Sequence, residues 1–108
     1  SDTSSVSGMV LTTSDNIIVN GSLQKMTDSM AIEFSGLNDR ENKVQVGDPV
    51  VTSYVSYDYQ QGILIGYISE INTDSNNLTR SGTIRPAVDF EHIEEVLVIL
   101  NKKQVTEE

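Results

Sequence analysis

Apolar residues recur at every second position through much of this chain. Ile17 and Val19 alternate with Asn20, Ser22 and Gln24, with Leu23 returning to the apolar side. Met30, Ile32 and Phe34 alternate with Ala31, Glu33 and Ser35. A period of two is the signature of a strand buried on one face. Further strand signals fall at residues 6–13 (VSGMVLTT), 50–53 (VVTS), 63–71 (ILIGYISEI) and 79–84 (TRSGTI). Residues 96–100 (VLVIL) are apolar on both faces and predict a strand covered on both sides. Asp89 is placed to cap one short helical turn over residues 90–94, with Glu91 and Glu94 near its start.

The breaks between these segments are turn chemistry. Thr13-Ser14-Asp15-Asn16 and residues 72–77 (NTDSNN) are polar turn clusters, and residues 36–43 (GLNDRENK) read as a charged loop. Asn20-Gly21 is a hairpin signal in isolation, but the alternation runs through it, so Gly21 is read as a bend within a strand. Gly47-Asp48-Pro49 predicts a stiff turn, because Pro49 fixes its own φ and holds Asp48 extended. Gly62 opens the next strand, and Gly66 in its middle predicts a bulge or a barrel bend. Pro86 ends the sixth strand. The fold class is therefore all-β: a small closed or partly open antiparallel barrel of six to seven short strands with one helical turn. Residues 6–100 are expected to form a single domain, with 1–5 and 101–108 as flexible tails.

Length and composition narrow the picture. A chain of 108 residues is one domain, able to bury roughly two thirds of its unfolded surface. It has no cysteine, so no disulfide framework and no zinc-finger spacing. Sixteen acidic side chains oppose seven basic ones, a net charge of −9. Such a surface repels nucleic acid and anionic lipid, and favours basic partners. No run of 18 apolar residues spans a membrane. The opening SDTSSVSG has neither a basic nor an apolar leader segment and reads like a cut inside a longer protein.

Candidate chemistry is sparse. His92 is the only histidine. It sits among Asp89, Glu91, Glu94 and Glu95, which would raise its pKa and spoil it as a general base. No serine lies in a nucleophile elbow, so no catalytic residue is assigned. Asp74-Ser75-Asn76-Asn77 lacks the closing Glu of a calcium loop, and no metal or cofactor is expected. Asn20-Gly21-Ser22 and Asn77-Leu78-Thr79 match the glycosylation sequon, a pattern short enough to arise by chance. The segment 54–61 (YVSYDYQQ) holds Tyr54, Tyr57 and Tyr59, three of the four tyrosines. Tyrosine buries much area at low entropy cost, so these three are candidate partner-binding residues, with packing into a barrel end as the alternative.

The ordered set Gly47-Asp48-x-Val50-Val51-Thr52-Ser53, Gly62-Ile63-x-Ile65-Gly66, Asp74 with Leu78, Pro86-Ala87-x-Asp89-Phe90 and Glu95-Val96-Leu97-Val98 resembles the C-terminal part of the bacterial cell-shape-determining MreC family. The resemblance implies the second of two extracytoplasmic β-barrels, attached to the membrane by an upstream helix. It implies a scaffold that organises peptidoglycan synthesis and self-associates. The implied partners are the peptidoglycan transpeptidase, a penicillin-binding protein, and other membrane proteins of the wall-elongation machinery. The matching residues Gly47, Asp48, Gly62, Gly66, Pro86, Asp89 and Phe90 read as architectural. The chain departs from the family where relatives carry a glycine-rich stretch and a proline; here Tyr54 and Gln60 stand in that region. Two rival readings remain: a barrel that binds a small ligand or wall polymer, and a chymotrypsin-like hydrolase barrel.

Overall fold

In the computed structural model, which describes residues 3–22, 31–53 and 62–87, six strands form a closed antiparallel barrel. They are β1 (Thr3–Val10), β2 (Asp15–Ser22), β3 (Ile32–Leu37), β4 (Pro49–Thr52), β5 (Leu64–Thr73) and β6 (Arg80–Pro86). Around the barrel the order is β1-β2-β3-β6-β5-β4, and β4 closes it by pairing with β1. The all-β barrel expected from the strand signals is the one observed. The expected helical turn at 90–94 and the strand at 96–100 lie outside the described residues.

Alternation builds the core. Val6, Val10, Ile17, Val19, Ile32, Phe34, Val50, Ile65, Ile68 and Ile84 point inward and are buried in one cluster. Val19 pairs with Phe34 across β2 and β3, and Ile68 pairs with Ile84 across β5 and β6. Gly21 lies within β2 opposite Ser4, so Asn20-Gly21 is strand and not a hairpin turn; Leu23 and Gln24 lie outside the described residues.

Most strand boundaries shift by one or two residues from the sequence reading, β5 starting at Leu64 after Gly62 for one, and three shifts change the picture. First, β1 begins at Thr3 and ends at Val10, so Thr3–Ser5 belong to the barrel wall, paired with β2. Leu11 to Ser14 form the turn, closed by the Ser14 N–H donating to the Val10 carbonyl at 2.8 Å. Second, Gly36 and Leu37 are strand rather than loop, and Leu37 is fully buried. The register shifts between Phe34 and Leu37, which adds a residue to β3 and turns Leu37 inward three positions after Phe34. Third, β5 runs on to Thr73, so the β5–β6 turn starts at Asp74.

The middle of β5 bends twice. Val50 pairs with Gly66 but Val51 with Leu64, leaving Ile65 as an extra residue against β4. Ile68 pairs with Ile84 but Glu70 with Thr83, leaving Ser69 extra against β6. At Gly66 a Cβ would overlap the Arg85 carbonyl and come within 2.9 Å of Ile84 Cγ2.

Two substitutions measure these features. Gly66→Val should prevent a stable barrel, since β6 would have to separate from β5; a melting temperature equal to wild type would refute the close approach. Phe34→Ala should cost about 3–5 kcal/mol in urea unfolding, the range for an emptied aromatic core position.

Candidate functional site

The structure gathers the family-signature positions along the β4–β5–β6 seam. Gly47 has φ +98, a conformation that L side chains rarely adopt. Its N–H donates to the Ile68 carbonyl at 2.7 Å, and the Asp48 carbonyl accepts from the Ile68 N–H at 2.9 Å. The Asp48 carboxylate accepts the Gln45 N–H at 2.9 Å, which ties off the turn before Pro49. Gly62 packs on Val51, where a Cβ would overlap the Thr52 carbonyl. Next to it, Ile63 N–H donates to Thr52 Oγ1 and Thr52 N–H to the Ile63 carbonyl, each at 2.9 Å. Pro86 is the last residue of β6 and pairs with Gly66. Gly47, Asp48, Gly62, Gly66 and Pro86 therefore hold backbone geometry and present no reactive group to a common point. Asp89, Phe90 and His92, and the tyrosines Tyr54, Tyr57 and Tyr59, lie outside the described residues.

One surface feature stands out on the barrel wall. Leu11 N–H donates to the Pro49 carbonyl at 2.9 Å, and Pro49 pairs with Tyr67. Leu11, just past β1, thus stands beside Pro49 of β4 and Tyr67 of β5 on the outer face. Leu11 is 53% and Tyr67 38% exposed, and Val46, one residue before the Gly47 turn, is 64% exposed. Leu11 and Tyr67, neighbours across Pro49, are exposed apolar side chains of the kind that suits a protein contact, and Val46 adds exposed apolar area elsewhere on the described surface.

The barrel end formed by the turns carries a polar arrangement that the sequence reading passed over. Leu37 pairs with Arg80, which brings Asp39 beside the Arg80 guanidinium. Asp39 Oδ2 lies 3.6 Å from Arg80 Nη1. The Asp39 carboxylate also accepts the Lys43 N–H at 3.0 Å and the Val44 N–H at 2.7 Å. Asp39 is only 7% exposed, although residues 36–43 read as a solvated loop. The charge-rich composition hid it. The signal available was the asparagine-aspartate pair after a buried leucine, a combination suited to side-chain-to-backbone turns. By contrast, Lys43 and Glu41 form an exposed ion pair that contributes little.

In the β5–β6 turn, Asp74 accepts hydrogen bonds from Ser81 Oγ at 2.6 Å and Thr79 Oγ1 at 2.7 Å. These hold its carboxyl below the ordinary value of 3.8, the Ser81 bond contributing most. Among the described residues, no group of three or more His, Cys, Asp or Glu is placed to hold a metal ion, and no helix is long and apolar enough to cross a membrane.

Against this geometry, a family model described as rod shape-determining protein MreC, barrel core, matches residues 1–100. The chain belongs to the MreC family. Neither the comparison with curated proteins nor that with solved structures gives a match. Family membership makes this MreC barrel core a part of a shape-determining protein. The match includes β1, β2 and β3, which precede the motif set that carries the resemblance.

Two predictions concern the polar groups. Asp39→Ala should cost about 1–3 kcal/mol, because it leaves the buried Val44 N–H without an acceptor; chemical denaturation measures it. For Asp74 the folded carboxyl titrates below its unfolded value. Its contribution is therefore present above about pH 4 and lost as the pH falls through the lowered folded value. Asp74→Asn should melt below wild type at neutral pH, and the two curves should converge in acid.

Proposed function

We propose that this barrel is a non-catalytic scaffold domain of a membrane-anchored cell-shape protein, working at the extracytoplasmic face of the bacterial cell membrane. It organises lateral peptidoglycan synthesis by holding proteins together, with no bond made or broken. Its partners are the peptidoglycan transpeptidase, other membrane proteins of the wall-elongation machinery, and further copies of itself. The observation that carries this reading is the barrel-core match across residues 1–100.

The geometry supports it in two ways. A closed barrel with a tightly packed core is a stiff platform, and stiffness lowers the entropy lost when a partner docks. The exposed apolar side chains of Leu11, Val46 and Tyr67 supply area of the kind that anchors protein interfaces. The surrounding charge of −9 favours a basic partner face and disfavours nucleic acid and anionic lipid. Tyr54, Tyr57 and Tyr59 form a second candidate contact.

The test is capture of the transpeptidase by the full extracytoplasmic region, with and without residues 1–108. Capture should depend on these residues. Replacing Leu11, Val46 and Tyr67 with Ser should weaken it at least about tenfold, the effect of losing one strong anchor, with the melting temperature within a few degrees of wild type. The Ser variant of Tyr54, Tyr57 and Tyr59 should also weaken it and leave the fold intact. Capture that ignores the removal of residues 1–108 would overturn the scaffold reading. Saturable binding of peptidoglycan fragments with no protein capture would favour a wall-polymer barrel.

A further inference from the structure

The Arg80 guanidinium is short of acceptors. Its Nε and Nη1 are shielded from solvent and make no hydrogen bond. Asp39 Oδ2, the nearest carboxylate oxygen among the described residues, is 3.6 Å away, too far for one, and is already engaged by the Val44 N–H. A charged donor shielded from water without an acceptor is costly, and an oxyanion satisfies it well.

The surroundings suit an anion. Arg80 lines a cavity of about 450 Å³ at the turn end of the barrel, together with Arg40, Asn42, Asn77 and Thr79. Arg40 is exposed. Two of the seven basic side chains of an acidic chain therefore meet in one concavity. Among the described residues that line it, Asp39 is the only acidic one, and its two oxygens are turned to the Lys43 and Val44 amides. Asn42 and Asn77 both adopt positive φ, at 55° and 57°, so the turns that carry these two amides are set in defined shapes.

We propose that this cavity is an oxyanion-binding site, taking a carboxylate or phosphate group between Arg80 and Arg40. Arg80 supplies a charged donor held in place by the barrel, and Arg40 supplies mobile charge from the rim. The site lies in the turn end and needs none of the contacts invoked for scaffolding.

The test is an NMR titration of the 108-residue chain with sodium phosphate, sodium succinate and sodium chloride at matched ionic strength. The Arg80 Nε–H and the Asn77 and Thr79 amide resonances should shift saturably with phosphate, succinate or both. Which salt acts distinguishes a phosphate from a carboxylate ligand. Chloride should leave them unmoved. Arg40→Gln, at an exposed position that the fold does not use, should weaken the apparent affinity about tenfold, the usual loss for one charge-assisted contact. Equal shifts with chloride, no saturation with either oxyanion, or an unchanged affinity in Arg40→Gln would each overturn the proposal: no saturation leaves water as the occupant of the cavity, and an unchanged affinity removes Arg40 from the site.

Discussion

Closing six short strands into a barrel demands sharp bending, and β5 carries most of it. This ten-residue strand pairs with β4 along its first part and with β6 from Gly66 to Thr73. It takes up one extra residue against each neighbour, Ile65 on one side and Ser69 on the other. Bulges of this kind increase local twist, and closure of a small barrel needs that twist. The backbones of β5 and β6 then come so close that neither Gly66 nor Gly82 has room for a Cβ: one would overlap the Arg85 carbonyl, the other the Glu70 carbonyl. Without that approach Ile68 and Ile84 would not meet in the core, and the four residues of β4 would have no curved neighbour to complete the ring.

The same bend explains how much of the fold was readable. Period-two alternation is a local property, and where a strand runs straight it named the buried face correctly, as in Ile17 and Val19 or Ile32 and Phe34. Gly66 was readable because a lone glycine in an apolar strand has few other reasons to be there. Bulges are different, since they add a residue without changing composition. Leu37 follows Phe34 by three positions, so simple alternation points it outward, yet it is fully buried. Leu11 was misread for the complementary reason. Apolar and next to a strand, it looks like a continuation of β1, but Ser14 takes up a positive φ and the chain has already turned.

The polar end of the barrel was hidden for a physical reason of its own. A run of charged residues is usually a solvated face, and composition alone does not reveal which member is drawn inward. Asp39 is buried because Leu37, two residues earlier, is anchored in the core and paired with Arg80. The pairing is long-range, and no window of sequence contains both partners. Burial is tolerated because the carboxylate gains two backbone N–H donors, which offset part of its lost hydration.

These constraints separate the molecule into parts with different freedom. Along the β4–β5–β6 seam each signature residue is tied to a backbone position. Gly47 serves a positive φ, Gly66 a contact with Arg85, and Asp48 a turn amide, so change there is paid in stability. The exposed side chains of Leu11, Val46 and Tyr67 contribute little to the core, because they stand substantially in solvent. Replacing them alters what the barrel can touch and leaves the means of its closure alone. Under the scaffold role proposed above, that division would let an interaction surface change while the platform beneath it stays rigid. The family motifs are strongest in the seam and silent about these exposed side chains, so belonging to the family identifies the platform and leaves the choice of contact residues to this chain's own surface.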